Sequence, residues 1–338
     1  MNGYQRIKAA LEGRWPDQRP IMLHNFMLAV KEAGITQKIF RENPGKASKA
    51  FIESTEKYDL DGVLIDFDTA TLAGAVGVPV DFPVHEPARY HGVAIKSLDD
   101  VEKLKKYDIE KDERVQIWLE TCRLVKRYFG DEKYIRGNCD QAPFSLASSI
   151  RGTQDWMMDL MGPEEPVMQL LEFATQVTSK FVKLVAGTGV DMVSNGDSTA
   201  GPEMISPDMY RHFALPFEKK VIQTAHDTGL PYVLHICGNT NSILDAMIES
   251  GTDGLELDYL TDIHKIYDMC AQKHLFIGNI DPSGIIALGS ARDVKEKCLE
   301  LLEIYKDSPR FIMNAGCAIP AETPEENIRT LVDTTRNF

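Results

Sequence analysis

Short apolar runs that end in polar or ionisable residues recur eight times along the chain, at 21–26, 62–68, 134–139, 192–197, 232–237, 254–258, 275–281 and 311–317. Stretches with helical periodicity lie between them. Two of these carry clear boundary signals: 163–186 opens on Pro163 and closes at Gly187, and 207–228 closes at Gly229. Strand and helix alternating in this way predict parallel strands joined by crossover helices. Eight such units close into a single (β/α)8 TIM barrel, an α/β fold spanning 1–338. The strands starting at 232, 254 and 275 leave room for only one short helix per interval, such as 242–250, which favours one barrel over two domains. A doubly wound open sheet is the main rival, but no Gly-x-Gly-x-x-Gly or P-loop pattern follows any strand. Residues 1–19 read as an N-terminal helical extension. The long gap at 69–133, after the second strand, holds an inserted loop and helix region in which Pro79, Pro83 and Pro87 mark irregular backbone.

Strand side chains alternate faces, so His235 and Cys237 share one face and Leu234 and Ile236 the other. In a barrel the apolar face packs under the helices. His235 and Cys237 then point inward at the C-terminal end of their strand, where barrel enzymes place their active sites. The same parity turns Asp66, Asp68, Glu256 and Asp258 inward, and Asp197, Asp281 and Cys317 also fall at strand C-termini. Gathering so many carboxylates without a cation costs several kcal/mol for each. His235 and Cys237, joined eighty positions on by Cys317, supply an imidazole and two thiolates, a donor set suited to Zn²⁺ with a coordination position left open. Glu256 is the candidate for a fourth, displaceable ligand. Cys122, Cys139, Cys270 and Cys298 read as packing residues. Asp281, followed by Pro282, reads equally well as a loop cap, and Asp197 as a helix N-cap.

Composition narrows the function classes. With 43% hydrophobic and 26% charged residues the chain is an ordinary globular protein. Its net charge of −14, without a basic patch, argues against nucleic acid as a partner. No run of about 18 apolar residues offers a membrane span. Six scattered cysteines and an N-terminus without an apolar signal core point to a reducing, cytoplasmic setting.

At His235-Ile-Cys-Gly-Asn-Thr240 and Asn314-Ala-Gly-Cys-Ala-Ile-Pro-Ala-Glu-Thr-Pro-Glu-Glu-Asn327 the chain resembles the uroporphyrinogen decarboxylase superfamily, and within it the zinc-dependent corrinoid methyltransferases. Ala142-Pro-Phe-Ser-Leu-Ala147, Gly196-Asp-Ser198 and Ile277-Gly-Asn-Ile-Asp-Pro282 extend the resemblance. The His-x-Cys plus distant Cys pattern is also similar to that of cobalamin-independent methionine synthase. True decarboxylases carry Arg-Gln-Ala-Gly-Arg after the first strand, where this chain reads His24-Asn-Phe-Met-Leu-Ala-Val30 with no arginine. They also have a histidine where this chain has Cys317, and a tyrosine where it has Ser148 or Ser149, while their pyrrole-binding aspartate is matched by Asp68.

The resemblance implies a TIM barrel that moves a methyl group from a methylated corrinoid protein to a small thiol such as coenzyme M, or to a reduced folate. Zinc on His235, Cys237 and Cys317 would turn the acceptor thiol, with its pKa of ~8.5, into a nucleophilic thiolate. Asp68, Asp197 and Asp281 would shape or hydrogen-bond the mouth. The corrinoid would belong to a partner, since the chain has no Asp-x-His-x-x-Gly motif. A coenzyme M sulfonate would need a cation, for which Arg136 and Arg151 are the nearest candidates. The rival readings are a metal-independent decarboxylase and a non-catalytic corrinoid or metal interaction module. Decarboxylase relatives also make a homodimer an option.

Overall fold

The computed structural model describes residues 1–338. Seven parallel strands form one sheet in chain order: β1 Gly62–Ile65, β2 Tyr134–Gln141, β3 Met192–Gly196, β4 Tyr232–Ile236, β5 Gly254–Leu257, β6 Leu275–Ile280 and β7 Phe311–Ala315. The first expected strand, 21–26, is reduced to a stub between β7 and β1. Ile21 bridges Met313 in parallel, the Met313 amide donates to the Pro20 carbonyl, and the Asp61 amide donates to Ile21. The ladder stops there because side chains take over its hydrogen bonds. The Ile21 amide donates to the Asp61 carboxylate at 2.8 Å and the His24 amide to the Asn314 side chain at 3.0 Å. A helix, Phe26–Glu32, then starts within the predicted strand.

The crossover helices include Pro44–Lys57, Glu113–Phe129, Glu164–Ala186, Ala291–Ile304 and Glu325–Arg336. The helix expected over 207–228 is broken into Pro207–Met209, a π-helical turn at Tyr210–Ala214 and Leu215–Asp227. Pro216 has no N–H for the ladder, and the widened turn just before it absorbs the mismatch. The insertion after β1 holds a short ribbon, Val80–Asp81 with Arg89–Tyr90, and two 3-10 segments, Leu98–Lys106 and Ile109–Lys111. No helix is long and apolar enough to cross a membrane.

Packing divides the barrel lengthwise. On the outside, Phe67 stacks with Phe40 and Trp118 at ring separations of 4.6 and 5.0 Å. Inside, the N-terminal half is filled by an apolar plug that includes Met22, Tyr134, Met192, Val233, Ile277 and Ile312, closed from below by Ile7 and Ala10 of the helix Gly3–Leu11. Polar side chains are therefore confined to the C-terminal half, where the strand ends open into a cavity.

Candidate metal centre

β4 presents His235 inward as its penultimate residue, and Cys237 follows one step past the strand end. The chain then turns sharply at Gly238, in the left-handed region at φ +81°, where a Cβ would lie 2.9 Å from Glu203. Cys317 follows β7 after Gly316, whose approach to the Tyr259 amide leaves 2.9 Å for a Cβ. β5 and β6 separate these two strands in the sheet, so the thiols meet across the barrel mouth.

His235 Nε2 lies 3.0 Å from Cys237 Sγ, and the two sulfurs are 3.7 Å apart. All three donor atoms fall within 4.8 Å of one another. Two sulfurs each about 2.3 Å from a tetrahedral centre are separated by about 3.8 Å, so the thiol pair already spans the edge that Zn²⁺ requires. The imidazole approach is shorter than the about 3.6 Å of a tetrahedral N–S edge and is a hydrogen-bond contact. His235 Nδ1 donates to the Glu256 main-chain carbonyl at 2.9 Å, so the neutral ring would keep its proton on Nδ1 and turn Nε2 toward the two sulfurs. A hydrogen bond from the Cys317 thiol pulls Cys237 down to about 3 against the effect of burial, and the His235 charge adds to it. The same hydrogen bond, together with burial, pushes Cys317 up. Burial opposes charge on His235, but the Cys237 thiolate outweighs it and sets the imidazole at about 9. The cluster thus keeps a thiolate ready for a soft cation.

Around these donors lies a cavity of about 240 Å³ whose wall includes His24, Asp66, Asp68, Arg136, Asn138, Asp140 and Glu256. Glu256, 1% exposed, is not brought into the His-Cys-Cys group. Its carboxylate pairs with Arg136, itself 2% exposed, and accepts from His24 Nδ1 at 3.3 Å. His24 Nε2 meets Asp66 at 2.7 Å, and Asn138 donates to the other Asp66 oxygen at 2.9 Å. Desolvation works against the His24 cation, yet its two carboxylate partners raise it to about 9. The Arg136 charge, with His24, holds Glu256 ionised and well below the usual carboxylate range despite its burial.

The other expected residues divide. Asp68 lines the cavity as anticipated. Asp197 lies behind the wall, fully buried, accepting from the Ser145 amide at 2.7 Å. Burial lifts it to about 6 beside Glu218, whose other oxygen accepts from Tyr210 at 2.6 Å. Asp281 faces an outer groove with Tyr259 and Lys297 and caps the turn Pro282–Ala287 through the Ser283 and Gly284 amides. Asp258 ties loops together by accepting from the Gly238 and Leu260 amides. The four remaining cysteines are buried. Arg136, a candidate cation for an acidic tail, does line the wall, whereas Arg151 does not. His24, Asn138 and Asp140 are wall residues that the candidate set lacked, and Arg136, Asn138 and Asp140 alternate along β2, a period-two polar series.

The uroporphyrinogen decarboxylase (URO-D) family model matches residues 3–338. The chain belongs to the uroporphyrinogen decarboxylase family. Among its relatives, a methylcobamide:CoM methyltransferase of Methanosarcina acetivorans is 32% identical over 244 residues, covering 72% of this chain and 70% of that protein. Another of that name from Methanosarcina barkeri is 25% identical and covers 97% and 95%. A uroporphyrinogen decarboxylase of Microcystis aeruginosa is 24% identical over 91% of both chains. A solved methyltransferase from Methanosarcina mazei superposes with a TM-score of 0.89 at 22% identity, covering 100% of this chain and 99% of that one, which establishes the shared barrel. Within the family, the first expected strand is the point at which this chain's fold departs furthest from the eight-strand pattern read from its sequence.

Proposed function

We propose that this family member transfers a methyl group from a methylated corrinoid, carried by a partner protein, to a thiol, with His235, Cys237 and Cys317 as ligands of Zn²⁺. The observation that carries the reading is the donor set itself: two thiols 3.7 Å apart and an imidazole whose far nitrogen is fixed by a carbonyl, facing a cavity. Zinc bound there supplies a Lewis acid that keeps an acceptor thiol deprotonated at neutral pH. Cys237 and Cys317 as thiolates and His235 as a neutral imidazole would hold the dication and balance its charge, which would leave an acceptor sulfur electron-rich. Its sulfur–carbon bond forms as the cobalt–carbon bond breaks, and the bonding pair leaves with cobalt as cobalt(I). No proton donor is required for that step. Relatives named as methylcobamide:CoM methyltransferases support the reaction class, and the absence of arginine over 24–30 counts against a polycarboxylate porphyrinogen.

The test pairs metal analysis with methyl transfer from free methylcobalamin to a thiol. About one zinc per chain is expected, with demethylation followed by the cobalamin absorbance change. Cys317→Ala should bind less than a tenth of the metal and lose transfer more than 100-fold. Turnover of uroporphyrinogen by chelator-treated protein would establish the decarboxylase instead.

A further inference from the structure

We propose that the acceptor thiol carries a cationic amino group, held by Asp68 and Asp140 on the wall of the same cavity. This rests on the thiol-methyltransferase reading and names the substrate class within it.

Asp68 follows β1 and is 3% exposed. Its Oδ1 accepts from the Ala70 and Thr71 amides at 2.9 and 2.8 Å, while Oδ2 has no partner. Asp140 stands on the adjacent strand β2, 1% exposed, with its backbone at φ +57°. Its Oδ2 accepts from the Leu72 amide at 2.6 Å and its Oδ1 likewise has no partner. Each carboxyl is thus anchored through one oxygen and left unsatisfied at the other, in a wall shared with His235, Cys237 and Cys317. A buried acid with a free oxygen is costly unless a donor or cation arrives. Burial pushes both carboxyls up and the Asp68 charge adds to the rise at Asp140, so the nearby Arg41 charge does not offset the burial. An ammonium group supplies both the donors and the charge.

An anionic tail is poorly served by the same wall. Arg136 is engaged by Glu256, and His24 by Asp66 and Glu256. Arg151 is bound to Asp155 and Asp159, away from the cavity. A sulfonate would therefore have to displace a carboxylate from its cation and would approach Asp66, Asp68 and Asp140 as well.

Three two-carbon thiols whose tails are cationic, neutral and anionic test this: 2-aminoethanethiol, 2-mercaptoethanol and 2-mercaptoethanesulfonate. Their binding to the cobalt(II)-loaded protein is read from the thiolate-to-cobalt absorption, independently of turnover. The amine should bind at least tenfold more tightly than the neutral thiol, and the sulfonate more weakly than either. In Asp140→Asn, whose amide oxygen can still accept from Leu72 and whose side chain tolerates positive φ, the amine-to-neutral affinity ratio should fall at least tenfold. Asp68→Asn, which keeps an oxygen for the Ala70 and Thr71 amides, should lower the same ratio. Equal affinities, tightest binding of the sulfonate, or a ratio unchanged in both variants would overturn the proposal while leaving the thiol reading intact. If none of the three thiols perturbs the cobalt spectrum, the thiol reading fails and takes this proposal with it.

Discussion

Glu256 serves two sites at once. Its main-chain carbonyl fixes the His235 tautomer, while its carboxylate joins Arg136 and His24 in a buried ion cluster on the cavity wall. Removing one partner of such a cluster leaves an uncompensated buried charge, which typically costs about 3–5 kcal/mol. Arg136→Met should therefore lower the unfolding free energy in urea by about that amount. Arg136→Met combined with Glu256→Leu should cost clearly less than the two single changes added together, the signature of direct coupling. His24 adds a pH dependence. Its folded value of about 9 exceeds the ordinary histidine value, so the folded state holds the proton more tightly. Its contribution is complete below about pH 6.5 and disappears as pH rises through 9. Unfolding measured at pH 6, 7.5 and 9.5 should show about 3 kcal/mol of that loss in the parent minus a His24→Gln variant. Taking the difference removes the contribution of His235, which titrates in the same window.

The same residues show what sequence could and could not resolve. His235, Cys237 and Cys317 were legible because a strand's two-residue period and its end position are local properties. Arg136 obeys the same period and was legible as a possible cation, but Asn138 was not singled out, and a strand read as ending at Cys139 leaves Asp140 outside the series. The ambiguity of Asp197 and Asp281 is physical. A carboxylate at a strand end satisfies a following amide or faces a cavity with the same local sequence, and only tertiary placement decides. Glu256 was legible as inward-facing, but its long-range partners Arg136 and His24 were not.

Among the elements, the strand–helix alternation was readable almost throughout, and the exceptions have specific causes. The segment at 21–26 has strand-like composition, yet side chains of Asp61 and Asn314 replace the ladder that would extend it. The π turn at Tyr210–Ala214 follows from Pro216, which sequence periodicity alone treats as part of one long helix. The lead-in helix does more than precede the barrel, because Ile7, fully buried, closes the apolar plug at the end opposite His235, Cys237 and Cys317. Ile7→Ala should destabilise the protein by about 2–4 kcal/mol through lost burial and the cavity left behind. Zinc stoichiometry in the folded variant should stay at the parental value, since the ligands sit on the other end of strands β4 and β7. Thermal unfolding and metal analysis of the same sample check both halves.

At the scale of the whole molecule, the question is how far the fold would depend on the zinc proposed for His235, Cys237 and Cys317. Small zinc domains unfold without zinc because their cores are too small to stand alone. Here the apolar core extends over 84 buried residues and is built from the strands and crossover helices, whereas the ligands come from two strand ends at the mouth. Zinc should therefore act as a late cross-link between β4 and β7 and not as a folding nucleus. Binding at a free concentration about 1,000 times the dissociation constant stabilises the folded state by about 4 kcal/mol. Because the unfolding entropy grows with chain length, that stabilisation moves the midpoint of a chain this size by several degrees and not by tens. Stripping zinc with a chelator should leave the far-UV circular dichroism unchanged, lower the thermal midpoint by roughly 4–10 °C, and abolish thiol methylation. One equivalent of zinc should restore both midpoint and activity. Loss of secondary structure on chelation would mean that the mouth, and not the apolar core, holds the barrel together.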